Sequence, residues 1–133
     1  MARYLVAYLA AAAVMVALDL AWLTLVMKHI FEASVGSLLA PKTGLGATLL
    51  FYLLYVAGLL VFAVSPALRS GHWVTALLFG AGFGFFAYMT YDLTNMATLK
   101  VWPVHLAALD IVWGTLVTGA AATAGYLAAS RMS

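Results

Sequence analysis

Three aspartates lie inside long apolar stretches of this sequence, where an ionisable side chain needs either a partner or a purpose. They are Asp19, Asp92 and Asp110, three of the four acidic residues in the chain. On membrane-insertion scales, such a group at the centre of a helix costs about 2.5–3.5 kcal/mol. Two interpretations follow. The aspartates could form a shared pocket for a proton, a cation or a polar ligand, or each could be hydrogen-bonded separately and only hold the helices together.

The spacing of the aspartates predicts that all three lie at a similar depth in the membrane. Asp19 lies eight residues before Met27, Asp92 four before Met96 and Asp110 seven after Pro103. At a rise of 1.5 Å per residue, the three carboxyl groups fall within roughly one or two helical turns of one level. We therefore expect them to converge in the half of the membrane that faces Lys28 and Lys100. Carboxylates that share a dry site cannot all ionise cheaply, so their titrations should be coupled.

Other polar and aromatic residues extend this predicted pocket. Asp19 and Trp22 recur as Asp110 and Trp113, and the spacing of three puts both side chains of each pair on one helical face. Internal duplication and coincidence both explain the repeat. Indoles that serve a pocket should point inward, whereas belt residues should face lipid at headgroup depth. The candidate pocket residues are Asp19, Trp22, Tyr91, Asp92, Thr94, Asn95, Asp110 and Trp113, with Tyr52, Tyr55, His105 and Lys100 as secondary candidates.

The composition shows what kind of element must position these side chains. Of the 133 residues, 67% are hydrophobic and 8% are charged, whereas roughly a quarter are charged in a soluble domain. A chain this short could not bury so much apolar surface in water. Apolar runs cover about residues 4–27, 46–64, 73–96 and 104–128, each near the ~20 residues that a bilayer core requires. The sequence predicts an all-α fold: one domain over residues 1–133, an integral membrane bundle of four transmembrane helices with short loops.

The basic residues bear on the orientation of that bundle. Four spans put both termini on one side. Arg3, Arg69 and Arg131 lie on that side, and Lys28, Lys42 and Lys100 lie opposite. The positive-inside rule is therefore tied, and Glu32, on the lysine side, favours termini in the cytoplasm. We expect a multi-pass protein of the cytoplasmic (inner) membrane.

Several classes of function lack the residues they need. The six basic residues are not clustered, so no nucleic-acid partner is expected. The absence of cysteine excludes disulfides, thiolate metal sites and cysteine nucleophiles. The sequence shows no phosphate-binding loop and no nucleophile–base arrangement, and its three scattered histidines do not suit a di-metal centre. No metal site is predicted, and the residue types leave the cofactor and the question of enzymatic activity open.

A series of longer motifs runs in order along nearly the whole chain. They are Asp19-Leu-Ala-Trp22, Phe51-Tyr-Leu-Leu-Tyr55, Phe62-Ala-Val-Ser-Pro66-Ala-Leu68, Thr90-Tyr-Asp-Leu-Thr-Asn95, Trp102-Pro103 and Asp110-Ile-Val-Trp113-Gly114. Together they resemble the bacterial predicted membrane proteins catalogued as domain of unknown function 2177. That family brings no established activity. Its members often accompany fatty-acid-modifying enzymes, so the resemblance implies a lipid-related role.

Three functional hypotheses follow from the pocket and the resemblance. The first is a lipid-related role, in which an intramembrane acidic pocket handles a headgroup or an acyl chain and membrane lipid is the partner. The second is a small transporter coupled to protons or cations. The third is a structural accessory subunit, whose partner is a second copy of the chain or another membrane protein.

Overall fold

The computed structural model describes residues 2–35 and 44–132, and in them four helices are long and apolar enough to cross a membrane. They are α1 (Ala2–Ile30), α2 (Leu45–Ser70), α3 (Trp73–Thr98) and α4 (Val104–Ser130). Their lengths, 26 to 29 residues, exceed the ~20 residues that a bilayer core requires. The described ranges contain no β-strand. The predicted all-α membrane bundle of four helices is confirmed, and its composition is that of a multi-pass membrane protein.

The helices continue past the apolar runs from which they were predicted. α2 was expected to end near residue 64, but it continues through Pro66 to Ser70. A π-helical stretch, Leu60–Val64, precedes the proline, which lies in the first turn of the α-helical segment that follows. Proline lacks an N–H and crowds the preceding turn, so a widened turn before it keeps the helix continuous. The helix stops at Gly71, whose φ of 77° suits a residue without a Cβ.

The first helix contains a similar irregularity, and its α-helical turns also continue beyond the apolar run. A π-helical stretch, Leu23–Met27, separates α-helix Ala2–Trp22 from α-helix Lys28–Val35. The loop expected after it included Lys42, which lies outside the described residues. Close to the end of α1, the buried side chains of Met27, Val35 and Leu106 pack together. This contact joins the end of α1 to the start of α4.

The fourth helix is the centre of the bundle. In an apolar segment of 18 residues in this helix, half of the residues are buried, against 17–28% in the corresponding segments of the other three helices. It lies against α3 along a seam of small residues. The two helices are so close at Gly84 that a Cβ there would overlap the Gly114 carbonyl and the Thr118 side chain. Small residues let two backbones approach closely, which is how membrane helices gain packing energy. On its other side α4 packs against α1, where Gly125 faces the backbone of Ala7.

Candidate functional site

The carboxyl group of Asp19 joins three helices near the middle of the bundle. Its side chain is only 6% exposed on α1. The Tyr52 hydroxyl of α2 donates to one carboxyl oxygen at 2.6 Å, and the Trp113 indole N–H of α4 donates to the other at 2.8 Å. Both oxygens therefore have a donor, and each donor comes from a different helix. This arrangement stabilises a carboxyl group at a depth where water is scarce.

The two tryptophans of the repeated motif lie against each other beside this carboxyl group. The rings of Trp22 and Trp113 are stacked, with centroids 4.5 Å apart and planes inclined by 4°. The Trp22 ring nitrogen is buried and has no hydrogen-bond partner among the described residues. Each tryptophan follows an aspartate by three positions, so helical geometry brings both rings to the faces on which the aspartates lie. The stack thus closes one side of the space around Asp19.

A cavity of about 350 Å³ opens next to the stacked rings. We call it the site cavity. Its walls are formed by Asp19, Trp22, Leu23, Phe51, Tyr52, Tyr55, Ala87, Tyr88, Tyr91, Asp110 and Trp113. Tyr88 reaches it across α4 only because residue 114 is glycine, since a Cβ there would overlap the tyrosine ring. The Tyr55 hydroxyl is held by the Thr118 hydroxyl at 2.9 Å.

The site cavity lies in one half of the bundle and opens to its outer surface. Measured along the helices from their midpoints, the polar wall residues lie about 4–11 Å towards the end that carries Lys28 and Lys100. Three wall residues on three different helices are substantially exposed: Leu23 (46%), Phe51 (44%) and Tyr91 (52%). They mark a mouth between the helices. Because all three lie within spanning segments, this mouth faces the side of the bundle rather than its end.

Asp110 of α4 and Asp92 of α3 form an acidic pair. Of the two, Asp110 lines the site cavity and Asp92 does not. Asp92 is fully buried, and the Trp102 indole N–H donates to one of its oxygens at 3.1 Å. Its other oxygen is buried and receives no hydrogen bond from the N–H groups or hydroxyls of the described chain. The two carboxyl groups lie close to each other. Carboxylates only accept hydrogen bonds, so a proton carried by either aspartate would join the pair.

The structure brings together some of the residues expected in the pocket and separates others. Asp19, Trp22, Tyr52, Tyr55, Tyr91, Asp110 and Trp113 lie on the cavity wall, and Asp92, Thr94, Asn95, Lys100 and His105 do not. The Thr94 hydroxyl instead donates to the Thr90 carbonyl within its own helix. Lys100 and His105 are exposed near the end of the bundle. Thr94, Asn95, Lys100 and His105 all lie beyond the cavity, towards the end of the bundle that carries Lys100.

Four wall residues were absent from the sequence-based set: Leu23, Phe51, Ala87 and Tyr88. Tyr88 could have been found, because it precedes Tyr91 by three positions and therefore shares its helical face. Phe51 stands directly before Tyr52, and its ring contacts the rings of Tyr52 and Tyr55. Leu23 and Ala87 are ordinary membrane residues whose types carry no functional signal.

The chemistry of the wall defines what it can bind. It presents carboxyl, phenol and indole groups, and none of the lysines, arginines and histidines in residues 2–35 and 44–132 lines it. The described residues contain no group of three or more histidine, cysteine, aspartate or glutamate side chains placed to hold a metal ion. Carboxyl oxygens accept hydrogen bonds, and aromatic faces attract cations. The site cavity is therefore suited to a ligand that donates hydrogen bonds.

Comparison with known proteins yields one family. The family model described as "Predicted membrane protein (DUF2177)" matches residues 4–127. No curated protein and no solved structure gives a match.

Proposed function

This chain belongs to the DUF2177 family of predicted membrane proteins, and from that premise and the geometry of the site cavity we propose that it binds the polar headgroup of a membrane lipid. The family description names no activity, so the proposal depends on the site. The observation that carries it is a cavity lined by two carboxyl groups among aromatic side chains, within the spanning part of the bundle, whose mouth opens sideways between helices. A molecule dissolved in the membrane can enter through such a mouth without passing through water.

The mouth supports a lipid as the ligand. Its exposed residues, Leu23, Phe51 and Tyr91, are apolar or aromatic and would contact acyl chains in the surrounding bilayer. Behind them lie the carboxyl groups of Asp19 and Asp110. A ligand suited to this sequence of environments is polar at one end and apolar at the other, as a membrane lipid is.

The size and charge of the site cavity support a headgroup that donates hydrogen bonds. The site cavity has a volume of about 350 Å³. That is enough for a headgroup of several heavy atoms. A hydroxyl or ammonium headgroup could donate to Asp110 and the phenol oxygens, and an ammonium would also interact favourably with the ring faces. Among the residues that the structure describes, no cationic side chain lines the wall to bind a phosphate.

Lipid retained during purification tests this proposal. The protein would be expressed in cells, extracted in mild detergent and washed, and the lipid that stays bound would be identified and quantified by mass spectrometry. Tyr52→Phe removes the hydroxyl that donates to Asp19. Its matched control is Tyr8→Phe, which removes a hydroxyl that donates to the Leu53 carbonyl outside the cavity. One hydrogen bond corresponds to roughly a 2–10-fold loss of retained lipid for Tyr52→Phe, with no loss for the control.

Other outcomes of that experiment favour the other hypotheses. If the wild-type protein retains no lipid above the level of an unrelated membrane protein, the proposal is overturned. Proton or cation flux in reconstituted vesicles, abolished by Asp19→Asn, would then favour a transporter. Stable co-purification of another membrane protein, or of a second copy of the chain, would favour an accessory subunit. Equal lipid loss from Tyr52→Phe and Tyr8→Phe would show that the retained lipid is not bound at Asp19.

We also propose that the protein lies in the cytoplasmic (inner) membrane with both termini in the cytoplasm. The support is Glu32, which breaks the tie between the basic residues of the two sides. Since the natural chain contains no cysteine, single substitutions can be labelled cleanly with a membrane-impermeant maleimide. Lys100→Cys should react from outside the cytoplasmic membrane, and Arg3→Cys, Ser70→Cys and Arg131→Cys should react only after that membrane is permeabilised. The reverse pattern would overturn this orientation.

A further inference from the structure

A second groove runs along the outer face of the bundle, on α3 and beside α2. It has a volume of about 600 Å³ and is shallower than the site cavity. Its walls are largely aromatic: Phe62 of α2 stacks on Phe83 of α3, and Phe79 and Phe86 of α3 also line it. Leu78 and Thr90 lie at its two ends along α3. Of the described residues on its wall, Thr90 alone carries a hydroxyl, which already donates to the Phe86 carbonyl. A groove of this composition suits a hydrocarbon chain.

The groove meets the site cavity at one residue. Ala87 lines both. Its methyl group is small, and the bulky rings of Phe86 and Tyr88 stand to either side of it in sequence. The site cavity and the groove therefore share a wall at Ala87. Carboxyl and phenol groups line the site cavity, whereas the groove wall is formed mainly by phenylalanine rings.

The direction of the groove fits a lipid whose headgroup has moved inward. From Leu78 to Thr90 it covers twelve helical positions, or about 18 Å. Thr90 lies about 7 Å from the midpoint of α3 on the side of the site cavity, and Leu78 lies about 11 Å beyond the midpoint on the other side. One leaflet of hydrocarbon is about 15 Å thick, and lipid headgroups normally lie at its outer surface. A headgroup in the site cavity would therefore lie deeper in the membrane than usual. Its acyl chain must then cross the middle of the bilayer.

Glycine keeps the floor of this groove open. A Cβ at Gly82 would meet no atom within 4 Å, although Gly80 and Gly84, two positions away on either side, face α4 closely. Residue 82 thus has no packing contact that requires glycine, yet it lines the groove. A side chain placed there would extend into the groove without disturbing the helix seam.

From these observations we infer that the groove holds one acyl chain of the lipid whose headgroup enters the site cavity, with the chain crossing the midplane of the bilayer. The inference rests on the proposed function and adds the path of the chain. It makes the protein selective for chains long enough to reach the far end of the groove near Leu78. Since the hydrocarbon is already out of water, this selectivity arises from dispersion contacts with the rings rather than from the hydrophobic effect.

Filling the groove tests the inference against a matched control. Gly82→Leu places a branched side chain on the groove floor. Gly46→Leu makes the same change on α2, where a Cβ also meets no atom within 4 Å but no groove is lined. Roughly five to ten lost dispersion contacts correspond to about a fivefold loss of retained lipid for Gly82→Leu. Gly46→Leu should retain lipid like the wild type. Elution volume and helical circular dichroism establish that both variants fold.

Crosslinking locates the chain directly. Vesicles would contain a phospholipid with a photoreactive diazirine at the end of one acyl chain, and crosslinked peptides would be mapped by mass spectrometry. Crosslinks on α3 between residues 78 and 86 are expected, and Gly82→Leu should remove them. If lipid is retained and is sensitive to Tyr52→Phe, but Gly82→Leu has no effect and the crosslinks fall elsewhere, the groove inference is overturned and the proposed headgroup site stands. If the wild type retains no lipid, both fail.

Discussion

Substitutions at Asp19 separate the contribution of its charge from that of its hydrogen bonds. In Asp19→Asn, the amide oxygen can accept from the Trp113 indole, which can only donate. The amide nitrogen can then donate to the Tyr52 hydroxyl, which can turn to accept. Both contacts seen in the structure, at 2.8 and 2.6 Å, survive in a neutral form. Asp19→Leu has a similar size and keeps neither contact, leaving an indole N–H and a hydroxyl without their acceptor.

The expected magnitudes follow from that difference. Hydrogen bonds between membrane helices contribute about 0.6 kcal/mol on average and up to about 1.7 kcal/mol each. Loss of both should lower the free energy of unfolding of Asp19→Leu by about 1–3 kcal/mol. Asp19→Asn should lose less than about 1 kcal/mol. Unfolding in mixed micelles of rising SDS content, followed by far-ultraviolet circular dichroism, measures both values against the wild type.

The same two variants also report on function. If the carboxyl group serves the ligand, Asp19→Asn should keep the fold and lose the retained lipid, because the neutral amide keeps the helices joined but changes the cavity wall. If the group is purely structural, Asp19→Asn should keep both. An unfolding free energy for Asp19→Asn as low as that of Asp19→Leu would refute the reasoning, since it would mean that the two hydrogen bonds do not decide the stability of this region.

Two further predictions concern the packing around the site. Gly84→Ala should destabilise the bundle by about 1–3 kcal/mol in the same unfolding assay, because its Cβ would overlap the α4 backbone and Thr118. The control Gly82→Ala should be neutral or stabilising by up to about 1 kcal/mol, since alanine favours the helix and space is available. Equal losses of unfolding free energy in the two variants would contradict the close α3–α4 seam. A double-mutant cycle of Tyr55→Phe and Thr118→Val should show a coupling of about 0.6 kcal/mol from their 2.9 Å contact. Additive losses would show that these two hydroxyls do not interact.

The spanning helices and the level of the polar residues could be predicted because both are properties of single segments. A run of about 20 apolar residues must form a helix in lipid, where every backbone group needs a partner within the segment. Depth follows from counting residues at a fixed rise, and Asp19 and Asp110 do lie on one cavity wall. The spacing of Asp19 to Trp22 fixes a common face in the same way. Even so, the extension of α2 through Pro66 was missed, because a π-helical turn can absorb a proline that usually ends a helix.

What a residue faces across the bundle was decided only by the tertiary structure. The depth of Asp92 in the membrane could be predicted by counting residues along α3. The rotation of α3 about its own axis could not, and this rotation points the Asp92 carboxyl group to Trp102 and Asp110 rather than to the cavity. That rotation follows from where α3 and α4 approach each other, at Gly84 and Gly114. The sequence by itself therefore determined how many helices cross the membrane and how deep each polar group lies, because rise and hydropathy are local. The partners of those groups depend on which faces of different helices pack together, and helical periodicity within one segment does not specify that.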